Sequence, residues 1–153
     1  MKIIFTLFLS LLFTANLSAQ SGSAKQVKWT FTATKIADNT YEVKLSANIA
    51  GKFHMYSQDA GVEGPLPTTI AFSPNPLVSI DGKVKEAGKK ISKYEEVWPG
   101  NVNYYEKTVD FVQVVKLKTK AKTSLNGKVE FIVCDDSVCL PPSEVPFKIA
   151  LGG

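Results

Sequence analysis

Cys134 and Cys139 are the two thiols of this 153-residue chain, and His54 is its one imidazole. Those numbers narrow the chemistry. Two cysteines and one histidine do not complete the four ligands of a zinc site, and a blue-copper site needs two histidines. No metal and no organic cofactor is expected. The cysteines lie in Cys134-Asp135-Asp136-Ser137-Val138-Cys139, followed at once by Leu140-Pro141-Pro142. An acidic four-residue loop turns the chain and the prolines stiffen its return, so the sulfurs can approach across a hairpin mouth. Strand alternation before the pair puts Val129, Phe131 and Val133 on a core face. Glu130, Ile132 and Cys134 fall on the other, with Cys134 at a strand end. The inter-sheet bridge of immunoglobulin domains joins cysteines dozens of residues apart, so this pair is not that bridge.

Two readings of the pair stay open on these residues. One is a small stabilising disulfide, although closing a loop of about six residues contributes only about 2 kcal/mol. The other is a redox-active pair in a short exposed loop, where a partner's thiolate can reach the sulfurs. Asp135 and Asp136 beside a thiol disfavour its thiolate and would raise its pKa, which suits a pair that reacts after docking rather than with any passing oxidant. Alternatively, both aspartates only solvate the turn.

The elements that must position the pair read as short strands. Val27, Trp29, Phe31 and Ala33 alternate with polar residues, Asp38-Asn39 offers a turn, and Tyr41, Val43, Leu45, Ala47 and Ile49 alternate again, which is a hairpin. Further runs lie at 68–72, 77–80, 83–86, 108–117, 127–134 and 145–151, punctuated by prolines, Asp81-Gly82 and Asn126-Gly127. No segment shows an apolar stripe of helical period. Seven to nine strands of this kind predict an all-β fold, an immunoglobulin-like antiparallel β-sandwich.

Residues 1–19 read as a cleaved signal peptide. Lys2 supplies the positive charge, 3–13 an apolar run, and Leu17-Ser18-Ala19 a cleavage site leaving Gln20 at the new terminus. The run is too short to span a bilayer, and no cysteine follows it to carry a lipid. The expected location is therefore periplasmic or secreted, where a disulfide persists. Residues 20–26 are small and polar and read as a loose leader, with one domain over 27–153. All 18 basic residues are lysines against 14 acidic ones. Without arginine and with so mild an excess, a nucleic-acid reader is not expected.

The residues resemble a known family, the amino-terminal periplasmic domain of the disulfide-interchange protein DsbD, in a stand-alone version. The resemblance rests on Val133-Cys134 through Cys139-Leu140-Pro141-Pro142, on Gly51-Lys52-Phe53-His54-Met55-Tyr56, and on Trp98-Pro99-Gly100 with Tyr105 five residues after the glycine. It implies an immunoglobulin-like sandwich that passes reducing equivalents by thiol-disulfide exchange. Cys139 would form the mixed disulfide and Cys134 resolve it. Trp98 would sit in a cap loop shielding the pair, with Tyr56 and Glu96 around the site. The partners implied are thioredoxin-fold proteins or a membrane electron transporter, and any protein-disulfide reductase activity would need them. This chain departs from the family pattern in placing four residues rather than five between the cysteines, and in having Leu140 where an aromatic follows the second one. The membrane and thioredoxin-like domains of the larger family protein are not in this sequence, so the chain is expected to be one carrier in a relay.

Other residues admit plainer roles. Trp98 could be a core anchor, His54 a structural side chain, and Gly61 to Pro67 a connector. Tyr104 and Tyr105 could form a docking patch, or one of them could be core. The competing function is a secreted immunoglobulin-like binding module with an inert disulfide. A weaker one is a chaperone-like module that presents a sheet edge. Oligomeric state is not legible.

Overall fold

The computed structural model describes residues 22–152. The expected signal at 1–19 lies outside the described residues. Within them are a short 3-10 helix, Gly22–Gln26, and eleven strands. These are β1 (Val27–Ala37), β2 (Thr40–Ile49), β3 (His54–Tyr56), β4 (Thr69–Phe72), β5 (Val78–Gly88), β6 (Ile91–Glu95), β7 (Gly100–Glu106), β8 (Thr108–Leu117), β9 (Thr123–Phe131), β10 (Val133–Cys134) and β11 (Ser143–Leu151).

Two sheets, in the orders β1-β2-β8-β5 and β11-β9-β4, face each other in the expected antiparallel sandwich. Alternation decides their inner faces. Val43, Leu45, Ala47 and Ile49 of β2 and Val109, Phe111 and Val115 of β8 meet Leu125, Val129, Phe131, Phe147, Ile149 and Leu151 in one buried cluster. Burying a side chain of this size stabilises by about 1.5–3 kcal/mol, so the two alternating sets decide which faces meet. A third sheet, in the order β10-β3-β7-β6, stands at one end and carries both cysteines' hairpin.

That third sheet arises where two strands change partners. At Lys107, held at φ 63°, the chain passes from β7 into β8, and its carbonyl accepts the Ile49 N–H at 2.7 Å. At Ile132 it passes from β9 into β10. A polar tie locks the third sheet to the sandwich. The Glu86 carboxylate on β5 accepts from Ser57 Oγ at 2.7 Å, Gln58 N–H at 2.6 Å and the Tyr105 hydroxyl at 2.8 Å, with Lys90 Nζ at 3.4 Å.

Three local expectations are corrected. The runs 77–80 and 83–86 belong to one strand, β5, because Gly82 at φ +74° makes a bulge rather than a turn. The buried Gln113 amide donates to the Asp81 carbonyl at 2.8 Å and so satisfies a group near the register shift between Asp81 and Lys85. Asn126-Gly127 is inside β9 and not a turn, since Gly127 lacks the Cβ that would strike the Phe147 ring and the Ala71 carbonyl. The leader is not loose over 22–26. Ser23 is fully buried, its Oγ accepts from Val133 N–H at 3.0 Å and donates to the Pro141 carbonyl at 2.9 Å, and so it clips together the two arms that lead to the cysteines.

Candidate functional site

Cys134 and Cys139 are disulfide-bonded, with Cα atoms 4.0 Å apart at the mouth of a tight hairpin. The backbone closes it from both sides, Asp135 N–H donating to the Val138 carbonyl at 2.9 Å and Leu140 N–H to the Val133 carbonyl at 3.0 Å. Asp135 shapes the turn between. Its Oδ1 accepts the Ser137 and Val138 N–H groups at 2.8 and 2.9 Å, and its Oδ2 pairs with Lys52 Nζ at 2.6 Å. The Lys52 hydrogen bond, then the two backbone donors, pull the Asp135 carboxyl down to about 2. Asp135 is therefore a compensated turn residue, whereas Asp136 stands exposed beside it.

The two sulfur-bearing residues have opposite surroundings. Cys134 is 2% exposed, in a small apolar cluster with Tyr56, Ala60, Val102 and Tyr104, separate from the sandwich core. Cys139 is exposed. The offset set by Val129, Phe131 and Val133 does keep Cys134 off the main core. A second cluster covers it, built from residues far away in the chain.

A cavity of about 550 Å³ opens over the pair, lined by both cysteines, His54, Tyr56, Trp98 and Tyr104, with Lys93, Glu95, Val97 and Val138 among its other walls. Trp98 comes from the turn at 96–99 that joins β6 to β7. The loop at 61–67 is more than a connector, because it forms the seat of this turn. Gly64, at φ +131°, leaves room for the Trp98 ring, which a Cβ would overlap, and Val62 packs beside Gly100. Asp59, Ala60 and Asn103 pin the loop to β7, Asn103 N–H donating to the Ala60 carbonyl at 2.9 Å and its side-chain amide to the Asp59 carbonyl at 3.1 Å.

Of the expected site residues, Tyr56, Trp98, Asp135 and Asp136 line the cavity with the cysteines. Glu96 does not. It is exposed at the start of the turn, and Glu95, the last residue of β6, faces the cavity instead and pairs with Lys93 at 3.1 Å. Alternation along β6 carries Lys93 and Glu95 to the cavity, and the strand ends before Glu96. The tyrosines divide likewise: Tyr105 enters the main core and Tyr104 the cluster at the site.

His54 is the residue a sequence reading places outside the site. It lies across the strands from Cys134, its ring 4.6 Å from that of Tyr104 and 5.4 Å from that of Tyr56. Burial lowers its pKa, against the opposing pull of Glu106, Asp136 and Glu95. Burial, with Glu95 next, raises the Tyr56 hydroxyl. Among the described residues no three His, Cys, Asp or Glu side chains gather where a metal could be held. The arrangement holds one S–S bond with one sulfur-bearing residue exposed and the other buried.

The sequence matches the family described as "Thiol:disulfide interchange protein DsbD, N-terminal" over residues 19–150. Among solved structures, the chain is similar to the N-terminal domain of DsbD from Neisseria meningitidis in its reduced form. The identity is 18% and the TM-score 0.54, covering 84% of this chain and 88% of that one. It is also similar to the N-terminal periplasmic domain of ScsB from Proteus mirabilis, at 17% identity and TM-score 0.52, covering 79% of this chain and 44% of that one. A third similarity is to a complex of the DsbD and PilB N-terminal domains from Neisseria meningitidis, at 17% identity and TM-score 0.48, covering 78% and 80%. At these identities the structural likeness concerns the fold. No curated protein matches the chain.

Proposed function

The chain belongs to the family of the N-terminal domain of the thiol:disulfide interchange protein DsbD, and on that premise we propose that it passes reducing equivalents between protein thiols through Cys134 and Cys139. The observation that carries the reading is the unequal burial of the pair: Cys139 is exposed at the rim of the cavity and Cys134 is 2% exposed beneath it. An inert staple needs no such asymmetry. An exchange pair uses it, because one sulfur must meet the partner while the other stays intramolecular.

In the reducing step, a donor thiolate attacks Cys139 Sγ, the S–S bond breaks, and its electron pair leaves on Cys134. The donor's second thiol then displaces Cys139, which leaves both cysteines reduced and the donor oxidised. In the next step the Cys139 thiolate attacks the disulfide of an acceptor. A thioredoxin-fold protein suits both roles, since its own exposed dithiol supplies the matching chemistry. Residues 1–19 would direct export, in keeping with the similar ScsB domain, which is periplasmic.

The test is the reduction potential of the pair. A value above about −300 mV supports exchange, whereas a lower one would make the disulfide an inert brace and the chain a binding module. The cap gives a second expectation. Trp98→Ala uncovers the cavity and should raise several-fold the rate at which glutathione reduces the disulfide, because exchange rates follow access to sulfur. Gly64→Ala, which displaces the same ring, should act in the same direction. Unchanged rates in both variants would remove Trp98 from the shielding role.

A further inference from the structure

Across the third sheet, four chemically capable residues stand in one register row. Cys139 bridges to Cys134, Cys134 pairs with His54, and His54 pairs with Glu106. Cross-strand partners project from the same face, with Cβ atoms about 4.5–5.5 Å apart. The row therefore sets thiol, imidazole and carboxylate side by side in the order in which a nucleophile, its base and the group that orients the base are arranged. His54 and both cysteines line the same cavity.

We propose that His54 is the proton acceptor for Cys134 in the step that closes the disulfide, with Glu106 supporting the ring as it becomes charged. This rests on the exchange function above and deepens it. When Cys139 is joined to an acceptor, neutral His54 takes the proton from the Cys134 thiol. The Cys134 thiolate then attacks Cys139 Sγ, the bond from Cys139 to the acceptor breaks, and the electron pair leaves on the acceptor sulfur. The pair is oxidised by two electrons and the acceptor reduced. The proton on His54 passes to that sulfur or to water.

The surroundings suit the role. Cys134 is buried, and burial disfavours its thiolate, so an unassisted Cys134 would resolve slowly. His54 is half-buried, and the charged groups facing it come from every neighbouring element: Glu106 on β7, Glu95 and Lys93 on β6, and Asp136 on the hairpin turn. Its pKa is lowered by burial, so the ring is neutral and able to accept at neutral pH. The three carboxylates favour the imidazolium once it forms.

The experiment uses the reduced full domain and the chromogenic disulfide 5,5′-dithiobis(2-nitrobenzoate), which releases one thionitrobenzoate when Cys139 attacks and a second when Cys134 resolves. Rates are taken across pH for the wild type, His54→Phe, His54→Gln and Glu106→Gln. His54→Phe keeps a ring against Tyr104 and Tyr56, and His54→Gln keeps polarity; neither can take the proton. The second release is expected to slow roughly 100-fold in both His54 variants at pH 7, with the first release preserved. Its pH profile should change from a plateau set by the imidazole to a continuous rise with hydroxide. Glu106→Gln should move the plateau's onset to lower pH. A second release with wild-type rate and profile in both His54 variants would overturn the assignment and leave the exchange function standing. No release from the reduced wild type would overturn the exchange function itself and this assignment with it.

Discussion

Reduced Cys134→Ser is expected to accumulate a mixed disulfide through Cys139 when mixed with a thioredoxin-fold protein that has serine in place of its second cysteine and carries its first as a thionitrobenzoate disulfide, and Cys139→Ser is expected to accumulate none. The exposed Cys139 would attack the partner's sulfur, with thionitrobenzoate leaving and no partner thiol left to reverse the bond. In the wild type, Cys134 is held beside Cys139 by the hairpin, with Cα atoms 4.0 Å apart, and on the proposed function would displace the partner at once. Serine at 134 cannot. The adduct then persists for the seconds to hours of intermolecular reshuffling. Cys139→Ser leaves only a thiol that is 2% exposed, under Tyr56, Val102 and Tyr104, where a partner's disulfide does not reach. Non-reducing gels and mass spectrometry of the adduct read the result. Equal trapping by both variants would overturn the division of roles. Neither change should unfold the domain, because a loop this short contributes only about 2 kcal/mol.

A large loss of stability is expected at Glu86, a residue that touches neither sulfur. Its carboxylate ties β5 to Tyr105 of β7 and to Ser57 and Gln58 just after β3, and so holds the two strands that present His54, Tyr56 and Tyr104. Glu86→Ala leaves the 0%-exposed Ser57 and the 1%-exposed Tyr105 without their acceptor, which costs about 3 kcal/mol. The melting temperature should fall by on the order of 10 °C. Glu86→Gln keeps an acceptor oxygen and should lose less. The acid limb carries a signature as well. Burial pushes the Glu86 pKa up, but hydrogen bonds from Gln58, Ser57 and Tyr105, and the charge of Lys90, outweigh it and leave the pKa below the ordinary value. A carboxyl of lowered folded-state pKa binds its proton more readily in the unfolded chain. Its contribution is complete above the unfolded value of about 4.3 and is lost as pH falls through the lower folded value. Thermal melts from pH 7 to pH 3 should show Glu86→Gln losing less on acidification than the wild type. Parallel curves would mean that Glu86 is not the ionised tie described above.

Where strand alternation is strict, the fold is legible directly. β1, β2 and β8 follow the two-residue period with few exceptions, because each has one face in the core and one in water. The third sheet is less legible for the same reason in reverse. β6 has no fully buried residue and β10 only two residues in all, so neither offers a pattern to read. Glycine misleads twice in the same way: Gly82 looks like a turn and makes a bulge, and Gly127 looks like a turn and lets an aromatic ring cross a strand. Glu95 and Glu96 differ by a single position, and the end of β6 at Glu95 decides that it is the one facing the cavity.

The sandwich, the hairpin that brings the cysteines together, and the limit that one histidine places on the chemistry all follow from residue order. These are properties of neighbours in the chain, set by side-chain period, turn residues and composition. It takes the folded chain to cover Cys134 and leave Cys139 open, to rest Trp98 on Gly64, and to set Cys134, His54 and Glu106 in one row. Those three residues come from three separate strands, and hydrogen-bond register between strands is settled by which faces the whole chain can bury at once.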